Sequence, residues 1–171
     1  MNLNGYTLKA YKMMETNQGI AYSANIYFDG KKIGSASNDG RGGMTDVYVD
    51  SKYRDEHRSV LDEDFVERMF TLGDYEDIFK HNLKKNPNLE AMAFVFYKDN
   101  CELHPFMCSK NATLDGLKNN LERRKPECQV ESIEIFRSLD DFNVDQDHQP
   151  DIYQSEDTDE DMDEESGMTM S

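Results

Sequence analysis

The stretch Leu139–Ser171 carries thirteen carboxylates and no lysine or arginine. Few large apolar side chains follow Val144. Ordering a backbone costs about 1–2 kcal/mol per residue, and a segment this poor in apolar surface has little to set against that cost. The expected organisation is therefore a folded body, residues 1–138, and an acidic tail, residues 139–171, disordered when free from about Asp145 onward. The charge divides the same way. Of the net −16 on 171 residues, −13 falls on the tail, while the body is nearly balanced with 22 acidic against 19 basic residues.

A body of about 138 residues is long enough for a real core. No stretch approaches the roughly 20 apolar residues that cross a bilayer, and Met1-Asn2-Leu3-Asn4-Gly5 has neither the basic nor the apolar region of a secretory signal. The expected location is cytoplasmic. Cys101, Cys108 and Cys128 form no CxxC pair, so a disulfide scaffold is not expected. Cys101, His104 and Cys108 fall short of the four ligands of a structural zinc site. His57 and His81 read as surface or partly buried histidines.

The first fifty residues read as strands. Tyr6, Leu8 and Ala10 alternate, as do Ile20, Tyr22, Ala24, Ile26 and Phe28. Asp29-Gly30 is the signature of a two-residue type I′ hairpin, pairing Phe28 with Lys31 and Ile26 with Ile33. A second loop, Asn38–Gly43, precedes a fourth strand at Thr45–Val49. Helical spacing follows in Leu61, Phe65, Val66, Met69 and Leu72, capped at Ser59. A second helix carries Tyr75, Ile78, Phe79 and Leu83, divided from the first at Gly73-Asp74. Ala91–Tyr97 is the most apolar run and reads as a strand buried on both faces. Cys101–Met107 reads as its partner, Leu114, Leu117 and Leu121 as a helix, and Val130–Phe136 as a last strand. The order β-β-β-β, α-α, β-β-α-β predicts an α+β fold with an antiparallel β-meander, divisible into subdomains at 1–50 and 51–138.

Asn38-Asp39-Gly40-Arg41-Gly42-Gly43 is the most conspicuous motif. It lacks the G-x-x-x-x-G-K-[ST] spacing and the following helix of a phosphate loop. That leaves a wide hairpin loop or a partner-contacting loop formed by Asn38, Asp39 and Arg41. Asp157-Thr158-Asp159-Glu160-Asp161 begins like a calcium loop, but Met162 and Met168 occupy the positions of the required glycine and glutamate. The tail reads either as a solubilising segment or as a mimic of nucleic-acid phosphates carried by Asp157, Asp159, Asp161, Asp163, Glu164 and Glu165. Lys118 and Arg123-Arg124-Lys125 suit a helix C-terminus, and with Lys84-Lys85 they would make a modest basic surface. The ten methionines, three of them in the tail, suggest no methionine-rich binding face. No catalytic set, metal site or cofactor is expected.

Tyr22–Gly34, followed by Asn38–Gly43, resembles the N-terminal portion of small proteins carried by phages and other bacterial mobile elements, some of which are anti-CRISPR inhibitors of the type II effector nuclease. The resemblance covers Tyr6–Val49. It implies a non-enzymatic protein that binds a bacterial defence nuclease in the host cytoplasm, and it carries over no catalytic residue. An anionic protein would be steered toward the positive channel of such an enzyme. The alternative is a nucleic-acid-associated accessory protein whose body binds DNA or RNA while the tail tunes affinity.

Overall fold

In the computed structural model, which describes residues 1–98 and 102–155, the hairpin expected at Asp29-Gly30 is in place. Both residues have positive φ, 46° and 76°, as a type I′ turn requires. They join β3 (Gly19–Phe28) to β4 (Lys31–Asn38), with Phe28 opposite Lys31. The register then departs from expectation. A bulge between Ile26 and Tyr27 leaves Ile33 as the extra residue of β4 and sets Ile26 opposite Gly34 rather than Ile33. Both isoleucines are nonetheless buried, because the extra residue kinks the strand and re-aims its side chains. A Cβ added at Gly30 would meet nothing within 4 Å, so the cost of Gly30→Val is backbone strain alone. We expect a loss of about 1–2 kcal/mol, read as a lower urea midpoint with an unchanged slope; an unaltered midpoint would show that this turn does not fix the hairpin.

The remaining strands of this sheet are β1 (Asn2–Leu3), β2 (Tyr6–Thr16), β5 (Asp46–Val49) and β9 (Asn143–Val144), in the order β5-β4-β3-β2-β1-β9. The pairing of β1 with β9 is parallel; the others are antiparallel. A second bulge interrupts β2 between Lys9 and Lys12, where Ala10 has φ 55°. It resets the alternation. Tyr6 is buried and Leu8 half-buried, but Ala10 is exposed, and Tyr11 takes the place expected for it against Phe70.

After β5 come a 3-10 turn at Ser51–Tyr53, the short helix α1 (Arg54–His57), which the sequence did not suggest, and α2 (Glu63–Lys85). Two expectations are corrected here. The N-cap is Asp62, whose carboxylate accepts from Phe65 N at 2.9 Å, not Ser59. The two helices expected on either side of Gly73 are one helix of 23 residues. Glycine weakens a helix by about 1 kcal/mol relative to alanine but does not end it when both flanking turns are packed, and Leu72 and Tyr75 are buried on either side. A Cβ at Gly73 would also meet nothing within 4 Å. Gly73→Ala should therefore raise stability by about 0.5–1 kcal/mol, seen as a higher melting temperature; a drop would mean the helix depends on flexibility there.

β6 (Ala91–Tyr97), β7 (Leu103–Cys108), α3 (Leu114–Arg124), β8 (Val130–Phe136) and β10 (Asp151–Gln154) complete the chain. The second sheet is antiparallel, in the order β10-β8-β6-β7. Its pleat divides two clusters. Met92, Phe94 and Phe136 belong to the larger core with α2 and the first sheet. Ala91, Ala93, Val95, Ile133 and Ile135 face the other way, with Leu114, Leu117 and Leu121 of α3 against them. The layers thus run sheet, α2, sheet, α3, and Ala91–Tyr97 is buried on both faces as its composition required.

The body does not end at Ser138. Ser138 N and Oγ both donate to Asp141, which opens a 3-10 turn at Leu139–Phe142. Phe142 is wholly buried and stacks on Phe136 at 4.2 Å between ring centroids. Val144 is buried beside Leu3, and β10 pairs with β8 over Ser132–Ile135. Sparse apolar residues suffice when each reaches a core. The expectation of disorder from Asp145 is therefore corrected for residues 145–155, and the body–tail boundary at 138/139 moves to 155 or beyond. Residues 156–171 lie outside the described residues.

Candidate functional site

Asn38–Gly43 is a built loop. Asn38 Oδ1 accepts from Gly40 N at 2.8 Å, Asn38 Nδ2 donates to Gly43 O at 3.0 Å, and Asp39 Oδ1 accepts from Arg41 N at 3.0 Å. Gly40, at φ 72°, lies so close to β3 that a Cβ would stand 2.6 Å from Ala21 N. Its carbonyl accepts from Thr16 Oγ1 at 2.9 Å. The loop is thereby pinned to the tip of the β2–β3 hairpin, and it holds Asp39 and Arg41 exposed.

Thr45 anchors the loop's far end to α2. Its N–H donates to Glu63 at 2.6 Å and its hydroxyl to Glu67 at 2.9 Å, while Tyr22 OH lies 2.5 Å from that hydroxyl. These contacts leave an open trough of about 650 Å³ between hairpin and loop. Lys12, Met14, Asn38, Asp39, Met44 and Asp46 are among the residues that line it. Met14 and Met44 are two-thirds and three-quarters exposed.

A second cleft, of about 370 Å³, opens between the two sheets over α2, and Met13 and Tyr22 line both. Exposed Met13 and Ile20 border it. Three exposed methionines thus line one opening, a clustering that the methionine count alone did not suggest. Met13, Met14 and Met44 converge because the bulge at Ala10 resets β2 and the loop folds back on the hairpin. Neighbouring Met13-Met14 was the available signal, but it became meaningful only with that bulge. Methionine-rich surfaces adapt to varied partners, and contiguous exposed apolar side chains mark interaction sites.

Carboxylates surround these openings. Asp39 and Asp46 stand beside the trough, where Lys12 is the basic lining residue, and Glu67 and Asp74 line the inter-sheet cleft. Burial and the neighbouring Asp77 carboxylate hold the Asp74 carboxyl above its ordinary range. Burial, then Asp74 and Asp77, push the Tyr11 hydroxyl up to about 12. Both shifts mark a place where carboxylates gather on α2.

The other sequence-based candidates divide. Asp157, Asp159, Asp161, Asp163, Glu164 and Glu165 lie outside the described residues. Lys84 and Lys85 end α2, while Lys118, Arg123 and Arg124 belong to α3, with Lys125 as its C-cap, on the opposite face of the second sheet. They do not share a helix layer, and Lys118 is already paired with Glu122 at 2.7 Å. His57 is buried in an aromatic cluster, its Nδ1 2.8 Å from Tyr6 OH. Among the described residues no group of three or more His, Cys, Asp or Glu side chains is arranged to hold a metal ion, and no helix is long and apolar enough to cross a membrane. Comparison of the chain with protein-family models, curated proteins and solved structures finds no match.

Proposed function

We propose that this protein is a non-enzymatic inhibitor carried by a phage or mobile element, which binds a bacterial defence nuclease of the type II effector kind and competes with nucleic acid for its basic surface. The observation that carries this reading is an exposed methionine face rimmed by carboxylates. It adds apolar contact area to the charge that would steer the protein toward a positive channel. The charge is not confined to the last residues: positions 1–155 hold 27 acidic against 19 basic residues. The acids of the tail supply further mimicry of phosphates. The alternative, a body that itself binds DNA or RNA, is disfavoured by the division of the basic residues between two helix layers.

Immobilised protein should retain the guide-loaded nuclease at low salt and release it as salt rises, since phosphate-like contacts weaken as screening shortens to about 8 Å at physiological ionic strength. Target DNA should displace it. Absence of retention at low salt, or retention indifferent to both salt and DNA, would overturn the reading.

A further inference from the structure

The cleft between the two sheets has a feature that general anionic mimicry does not call for. Its walls are apolar and come from three layers: Met13 and Ile20 from the hairpin, Phe70 from α2, and Phe96 and Leu103 from the second sheet. Ile20 is half exposed at its mouth. Glu67 and Asp74 are its charged lining residues, with no lysine or arginine among the rest. Among the described residues the Asp74 side chain has no hydrogen-bond or ion-pair partner, and its carboxylate neighbour is Asp77. A half-buried carboxylate facing another is relieved by a cation placed beside it.

We propose that this cleft docks a basic amphipathic segment of a protein partner and seats one of its lysine or arginine side chains against Asp74 and Glu67. The inference rests on the reading of the protein as a binding protein and specifies what the partner presents. The volume, about 370 Å³, suits one or two large side chains of a docked segment. The alkyl stem of a lysine or arginine covers apolar wall while its head stays with the carboxylates. The segment's apolar residues would lie on Met13, Ile20 and Leu103, the pattern by which an amphipathic helix fills a groove. Charge complementarity selects this occupant over a second copy of the chain, which at net −16 would meet repulsion.

The test is titration of the full chain, by calorimetry and by methyl NMR, with three synthetic helical peptides: an amphipathic lysine–leucine peptide, its glutamate–leucine counterpart, and a scrambled lysine–leucine peptide without an apolar face. The first should bind and shift the methyl signals of Met13 and Ile20, and the other two should bind at least tenfold more weakly. Asp74→Asn and Ile20→Ser, each checked for an unchanged melting temperature and dispersed spectrum, should each weaken the first peptide about tenfold. Equal binding of the glutamate peptide, equal binding of the scrambled peptide, or full affinity of Asp74→Asn would overturn the proposal. So would concentration-dependent dimerisation that protects the Ile20 methyl, which would make a second copy the occupant. Peptide binding without retention of the nuclease would remove the nuclease as the partner and leave the cleft assignment standing; nuclease retention by Asp74→Asn at full strength would do the reverse.

Discussion

A chain ending at Ser138 is expected to lose its cooperative unfolding transition, while one ending at Ser155 keeps it. The first truncation removes Phe142, wholly buried between Phe136 and Phe79. Deleting a buried phenylalanine side chain costs about 3–5 kcal/mol. It also removes β9, which carries Val144 and the carbonyl that accepts from Asn4 N at 2.9 Å, and β10, which covers the edge of β8 over four residues. Arg137 loses Asp151, its partner at 2.7 Å. Against a total stability of about 5–15 kcal/mol the sum leaves little or nothing. Circular dichroism during thermal unfolding reads the outcome directly. Equal melting temperatures for the full chain and the chain ending at Ser138 would mean that residues 139–155 contribute nothing to the core.

Breaking the ion pair between α2 and the second sheet should produce the next largest effect. Arg68 donates twice to Glu134, at 2.7 and 2.6 Å. Glu134 is one of the few charged residues buried in the described structure. Replacing Arg68 with Met strands a buried carboxylate, and breaking such a pair costs roughly 3–5 kcal/mol. The lower end applies here because Arg68 is partly exposed. Arg68→Met with Glu134→Leu should recover most of that loss, since an apolar replacement for the whole pair is often neutral. Urea denaturation of the two single variants and the double variant checks this. A double variant no more stable than Arg68→Met would place the pair's contribution elsewhere.

The elements legible in the sequence were those decided by local chemistry. Ala91–Tyr97 and Val130–Phe136 were found with their observed bounds, the first because an unbroken apolar run of seven residues leaves little choice and the second because Val130, Ile133, Ile135 and Phe136 are strand formers among short polar residues. Asp29-Gly30 specified its turn because both positions need positive φ. The α+β class and the meander followed from the order of such signals. What was not legible depended on contacts distant in sequence. Gly73 looked like a helix end until Leu72 and Tyr75 on either side were packed. Phe142 and Val144 looked like strays in an acidic tail until each met a core built by distant residues, Val144 beside Leu3 at the start of the chain and Phe142 on Phe136 and Phe79. Several acids there have local structural roles that composition hides: Asp141 accepts from the backbone of Arg137 and Ser138, and Asp145 from the backbone of Asp147 and His148. The loop at Asn38–Gly43 was recognised as the conspicuous motif. Its alliance with Met13, Met14 and Met44 was not, since alternation through Ala10 put the β2 side chains on the wrong faces.

The most direct test is inhibition itself. Cleavage of target DNA by the guide-loaded type II effector nuclease should fall as this protein is added before the DNA, and should recover when salt or DNA is raised. Converting Asp157, Asp159, Asp161, Asp163, Glu164 and Glu165 together to Asn or Gln should weaken inhibition more than Arg41→Ala does, because the tail acids would replace phosphate contacts while Arg41 supplies a single loop contact. Dominance of Arg41→Ala, with little salt dependence, would assign recognition to the Asn38–Gly43 loop instead. Undiminished cleavage at saturating protein and low salt would contradict the proposed function outright.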